Sequence, residues 1–162
     1  MCTSFANAFK MKIVSLRPSF VSSPEEYSQY VRVPEISSMW EPFMLGDMFS
    51  YIDVRDVAQA VVCSLVAAVE GHQACLLAAD DSVSFTPTSE LIEKYYTHLA
   101  WPNISKEEFL TGPAHQSLVD CSKAKNLLNW QPRFTWRDPS LDSLEYRDST
   151  ESPVSVESTD QP

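Results

Sequence analysis

Residues 120–136, DCSKAKNLLNWQPRFTW, hold Cys121, Lys123, Lys125, Trp130 and Trp136 within one short span, so the span reads either as a reactive site or as the end of a fold. Activation of a cysteine needs a neighbour that favours the thiolate, and neither Cys121 nor Cys63 has one at a telling spacing. Asp53 and Asp56 could form a pair of carboxylates for acid–base work. They stand directly before an apolar helical pattern, however, where a carboxylate caps the helix, and capping is the expected role for both. Arg55 between them is expected to be a solvated charge. His72, His98 and His115 are isolated, and the chain has neither a GxSxG turn nor an HExxH helix, so a hydrolase or metalloprotease reading has no support. With no CxxC pair and no histidine at ligand spacing, no metal site is expected.

The elements that would position these residues can be read along the chain. CTSFANAF (2–9) reads as the end of a helix, and KIVSL (12–16) as a short buried parallel strand stopped by Arg17 and Pro18. A helix is predicted to begin at SSPEEY, with Ser23 as cap, Pro24 at the first position, and Glu25 and Glu26 at the positive end of its dipole. Residues 34–47 carry the irregular apolar WEPFMLGD, expected to pack over something. In YIDVRDVAQAVVCSLVAAVEG (51–71), Asp53 caps a helix whose Val54, Val57, Ala58, Val61, Leu65 and Ala68 recur at helical spacing until Gly71 ends it. CLLAA (75–79) reads as a second buried strand and 86–96 as a helix capped by Thr86 or Thr88. Asp120 or Ser122 caps a last short helix, Asn129 suits a left-handed end, Trp130 folds back on that helix, and Pro132 prevents its continuation. Strand, helix, strand, helix predicts an α/β unit.

The net charge of −10 is unevenly placed. Residues 138–162 contain Asp138, Asp142, Glu145, Asp148, Glu151, Glu157 and Asp160 against Arg147 alone, so −6 of it lies there, in a Ser/Thr/Pro-rich tail expected to be disordered. No basic stripe with interleaved aromatics appears, which excludes nucleic acid as the main partner, and Trp40, Trp101, Trp130 and Trp136 are read as packing residues. No run approaches the ~20 apolar residues of a membrane span, so no membrane partner is expected. Widely spaced Cys2, Cys63, Cys75 and Cys121, together with an N-terminal stretch broken by Asn7 and Lys10, predict free thiols and a cytoplasmic protein.

Three segments in this order, KIVSLRPSFV (12–21), YIDVRDVAQAVV (51–62) and DCSKAKNLLNWQP (120–132), resemble the C-terminal portion of extended short-chain dehydrogenase/reductases, the NAD-dependent epimerase/dehydratase family. The resemblance spans residues 1–137. It implies an α/β fold, the C-terminal part of a Rossmann-like sheet left incomplete and joined to a small substrate-binding lobe, with 138–162 as the acidic tail. In that family the last motif is a structural signature, so the opening span becomes the end of the fold.

The family's chemistry uses a glycine-rich turn for the dinucleotide and a tyrosine with a lysine four residues later. This chain has only Gly46, Gly71 and Gly112, and none of its six tyrosines has a lysine at that offset, so no catalytic residue is assigned. The resemblance places the tyrosine–lysine pair just ahead of the strand like KIVSL, hence before Met1, and the chain is expected to be a fragment or a truncated gene model. Pro18 and Ser19 match the loop that lines the nicotinamide end of NAD or NADP in a complete enzyme; Phe20 and His115 are candidates for its substrate side. Sugar-nucleotide epimerases commonly carry asparagine where Phe20 stands, and arginines roughly where Phe49 and Leu110 stand, which favours a smaller or less charged substrate. The partners implied are a small-molecule substrate and, for the complete enzyme, a homodimer. No tight cofactor binding is expected of these residues alone, and a non-enzymatic interaction module of the same ancestry is the alternative.

Overall fold

The computed structural model describes residues 1–27, 43–102 and 104–138. The acidic tail beyond Asp138 and most of the apolar 34–47 stretch lie outside the described residues. Helix α1 (Cys2–Phe9) ends at Lys10, whose φ of 55° closes it in a left-handed turn. It leads into β1 (Ile13–Pro18), which runs parallel to β4 (His72–Leu77) in the register Ile13↔His72 to Pro18↔Leu77. One residue further on, β2 (Phe20–Ser22) pairs in parallel with β3 (Tyr51–Asp53). The architecture is mixed α/β with parallel strands, as the alternation of elements predicts. KIVSL is less covered than a buried strand should be: Ile13, Val14, Ser15 and Leu16 are half-buried, because among the described residues β1 pairs with β4 alone.

Residues 24–27 are helical behind the Ser23 cap, and the Ser23 N–H donates to Glu26 Oε2 at 2.8 Å, one half of a capping box. Tyr51, Ile52 and Asp53 are fully buried strand, and α2 (Val54–Val66) follows with Asp53 as N-cap accepting from the Arg55 N–H. The helix stops short of the predicted Gly71. Ala67 turns to extended backbone, the following turn buries Val69, and Gly71, at φ 60°, makes the turn into β4. The face of α2 that meets the core also differs from the apolar stripe. Asp56 and Ala60 are buried with Val57 and Cys63 beside them, whereas Val54, Val61, Val62, Leu65 and Val66 are exposed. Small residues let the helix lie close to the sheet, and the bulkier Val61, Val62, Leu65 and Val66 are left pointing away from it.

Helix α3 (Thr88–Leu91) continues as a π-helical turn, Ile92–Tyr96. Neither Thr86 nor Thr88 caps it. Pro87 occupies the cap position and the Thr88 hydroxyl instead donates to the Gln116 carbonyl at 2.7 Å. After α4 (Lys106–Leu110), α5 (Ser122–Leu128) ends at Asn129 with φ 49°, the left-handed close its sequence predicts. Asp120 does not cap through the helix end but accepts from the Ser122 N–H at 2.8 Å. Trp130 folds back as expected: it is 1% exposed and packs with Ile52, Ala60, Leu77, Ala124 and Leu128 in the main core. All four cysteines are free thiols, and no helix among the described residues is long and apolar enough to cross a membrane.

Candidate functional site

Parallel strands expose their carboxyl ends on one side of a sheet, where open α/β folds bind ligands. The ends of β1 and β4 meet such a cavity, about 600 Å³ in volume, whose floor is formed by Arg17, Pro18, Ser19 and Leu77. Asp47 and Met48 close it from the loop before β3, and Leu118 to Asp120 from the segment before α5. Ser19 is fixed at the break between β1 and β2 by its N–H, which donates to the Leu77 carbonyl at 2.9 Å. Its hydroxyl is buried and has no partner among the described residues. Ser19 lines this wall while its hydroxyl oxygen has no exposed surface, so it meets a ligand only if its side chain turns toward the cavity, and the lack of a partner makes that turn cheap.

Of the four residues singled out from the sequence, the fold brings Pro18 and Ser19 together in the cavity wall. Phe20 and His115 are not among its lining residues. Phe20 is half-buried between the Tyr27–Tyr51–Trp136 cluster and the Met44–Phe49–Leu91 cluster. His115 is half-buried, its carbonyl accepts from the Ser82 N–H at 2.8 Å, and its Nδ1 has no partner among the described residues. Phe49 is buried at φ 54°, directly after Met48 at the same φ, and Leu110 is 41% exposed.

The buried acids Asp53 and Asp56 are structural. Tyr27 donates its hydroxyl to Asp53 Oδ2 at 2.7 Å, while Arg55 grips the same carboxylate through Nε at 2.8 Å and Nη2 at 2.7 Å. Burial pushes the Asp53 pKa up, but the Arg55 guanidinium and N–H and the Tyr27 hydroxyl outweigh it and hold the carboxyl below its ordinary value. Arg55 is thus not a free solvated charge: paired with Asp53, it also lies 3.6 Å from the Phe134 ring centroid. Asp56 is not a capping-box partner. Its carboxylate accepts from the Arg133 N–H at 3.0 Å and the Phe134 N–H at 3.1 Å, and burial raises its pKa above the usual value.

Asp81, which the sequence does not single out, gathers the Tyr51 hydroxyl at 2.6 Å, the Thr135 hydroxyl at 2.8 Å and Arg137 Nε at 3.1 Å. The alternation Arg133, Thr135, Arg137 against Phe134, Trp136 is the sequence signal for this arm, because in an extended chain residues two apart share a side and adjacent residues face opposite sides. Tyr27 and Tyr51 both have pKa values raised by burial and by their acidic partners, the reverse of the lowering that a proton-transferring tyrosine needs. Burial also raises the thiols of Cys75 and Cys121, which keeps them protonated and inert. Among the described residues no group of three His, Cys, Asp or Glu side chains could hold a metal.

These features define a mixed α/β protein with parallel strands and a cavity at their carboxyl ends. No protein-family model and no curated protein matches the chain. Among solved structures it is similar to UDP-glucose 4-epimerase from the hyperthermophilic eubacterium Thermotoga maritima, determined with UDP-glucose, at 19% identity and a TM-score of 0.41. The match covers 82% of this chain and 44% of that one, so the chain spans under half the length of the epimerase. The likeness is loose, and the description of the fold rests on the strand pairing above.

Proposed function

We propose that residues 1–137 are the C-terminal part of an NAD(P)-dependent epimerase, dehydratase or reductase of the extended short-chain type, supplying one wall of the nicotinamide pocket and the substrate lobe. The observation that carries this reading is the buried, unpartnered Ser19 hydroxyl at the carboxyl end of β1, inside the motif KIVSLRPSFV. A hydroxyl can donate and accept, which suits a carboxamide such as that of nicotinamide. Pro18 beside it offers a flat apolar surface and no N–H to be desolvated. When bound, the nicotinamide supplies hydride exchange with a substrate hydroxyl or carbonyl. This chain's part is to hold that ring and to orient the substrate. The described tyrosines Tyr27 and Tyr51 take no part in proton transfer, since their hydroxyls are committed to Asp53 and Asp81.

A second reading, a non-enzymatic module, is favoured by the exposed stripe on α2, where Leu65 is 80% and Val66 83% exposed. The DNA upstream of Met1 separates the two. An in-frame glycine-rich turn and Tyr-x-x-x-Lys pair is the expected result. A stop codon directly upstream, with a stable short product in cells, would overturn the enzyme reading in favour of the module.

A further inference from the structure

A second cavity, about 330 Å³ in volume, adjoins the first. The two share Met48 and Leu118 as common wall. Beyond that threshold the lining is apolar: Ile92 and Tyr96 from the π-helical turn, Leu99 and Trp101 after it, Ile104 and Phe109 from the approach to α4 and α4 itself. The polar side-chain atoms in this wall are already committed. The Tyr96 hydroxyl donates to the Leu45 carbonyl at 3.0 Å, and Trp101 Nε1 to the Ile104 carbonyl at 3.0 Å. No polar side chain among the described lining residues is left to orient a sugar or an amide, whereas an aromatic ring or a branched chain suits the wall. A ring fits easily, since an apolar cavity of roughly 150 Å³ already holds a benzene.

Two features show that the threshold is built. Met48 and Phe49 are consecutive non-glycine residues at φ 54°, a conformation that costs about 1–2 kcal/mol per residue and persists only where the surroundings enforce it. Phe49 is held in the cluster with Met44 and Leu91, which leaves Met48 between the two cavities. Charge points the same way. The first cavity carries Asp47 and Asp120 against Arg17, and Asp120 is kept ionised because the Ser122 N–H holds its pKa below the usual value. A diphosphate would meet more negative than positive charge there.

Resting on the reading of the first cavity as a nicotinamide and substrate site, we propose that its substrate is an uncharged secondary alcohol or ketone bearing an aromatic or branched aliphatic group, which sits past Met48 in the second cavity. The test uses 4-(4-fluorophenyl)butan-2-one as probe and its fluorine resonance as readout on the full chain. Two variants, Ala100→Trp to fill the cavity and Leu99→Glu to charge its rim, are each checked for fold by circular dichroism. The probe is expected to bind the wild-type chain, to bind the folded variants about tenfold or more weakly, and to be unaffected by UDP-glucose. No binding to the wild type, equal binding to a folded variant, or displacement by UDP-glucose would overturn the proposal. The enzyme reading is judged separately by the upstream DNA, so its failure and the failure of the apolar seat are told apart.

Discussion

The indole N–H of Trp130 donates to the backbone carbonyl of Asp56 at 3.0 Å, across 74 positions of sequence. The carboxylate of the same aspartate receives the backbone N–H groups of Arg133 and Phe134. One residue on the first turn of α2 therefore fixes both the turn after α5 and the strap that follows it.

Removing that anchor is expected to loosen the whole C-terminal segment. Asp56→Ala removes the carboxylate acceptor of the Arg133 and Phe134 N–H groups, and a hydrogen bond to a charged group contributes about 1.5–3 kcal/mol. A fall in stability of roughly 2 kcal/mol or more is expected, with a smaller fall for Asp56→Asn, which keeps one acceptor oxygen. Thermal melts followed by circular dichroism measure both. Equal midpoints for wild type and Asp56→Ala would remove the anchor role.

Asp53 and Asp56 should respond to acid with opposite signs. The folded-state pKa of Asp53 is lowered, so its stabilisation is fully present above the ordinary carboxylate value of ~3.9 and is lost as the pH falls through the folded value. That of Asp56 is raised, so its charged form carries a penalty at neutral pH that is relieved as the pH falls through the raised value towards ~3.9. On acidification the deficit of Asp53→Asn should therefore shrink, in the window below the ordinary value. The deficit of Asp56→Asn should grow, in the window above it. Parallel profiles in a series of melts from neutral to acid pH would contradict this assignment.

How far the sequence reveals this arrangement depends on the range of the interaction. Asn129 and Trp130 were legible because a left-handed helix end and a fold-back residue are decided within a few positions. The Ser23 cap is legible for the same reason, whereas the return bond from its N–H to Glu26 is not read from the sequence. Asp56 was not, because an acid three residues after a cap looks like a local partner, while its true partners lie 77 and 78 positions away. The outward stripe of α2 escapes the sequence for a related reason: periodicity finds an apolar face but does not say what covers it. Pro18 and Ser19 could be placed at a strand end by pattern, yet the unpartnered hydroxyl of Ser19 exists only once β4 has been brought alongside.

The stripe on α2 predicts self-association. Val62, Leu65 and Val66 are 63%, 80% and 83% exposed and lie on one side of the helix. Each such side chain left in water forgoes about 1.5–3 kcal/mol of burial, a large share of the ~5–15 kcal/mol that holds a domain together. Leu65→Glu with Val66→Glu should raise the monomer fraction in size-exclusion chromatography while leaving the helical circular dichroism unchanged, because glutamate is a good helix former. A wild-type chain that is already monomeric with a sharp thermal transition would count against the prediction.

The 162-residue chain should neither hold NAD(P) tightly nor reduce it. Tight dinucleotide binding draws on a pyrophosphate seated against a glycine-rich turn at a helix N-terminus, and Gly46, Gly71 and Gly112 are too dispersed to make one. The cavity at the ends of β1 and β4 adds Asp47 and Asp120 against Arg17, which gives a pyrophosphate no favourable seat there either. On the proposed role of Ser19 at the nicotinamide end, a weak and local response is expected where a global one is not. Nicotinamide mononucleotide at high concentration should move the amide resonances of Ser19 and Leu77, joined by their 2.9 Å hydrogen bond, and Ser19→Ala should abolish that movement. Calorimetric titration with NAD or NADP should show no saturation in the micromolar range, and no NAD(P)H absorbance should develop with secondary alcohols. Micromolar binding would mean that a pyrophosphate site exists elsewhere in the chain. Resonance shifts that survive Ser19→Ala would place the ring away from β1.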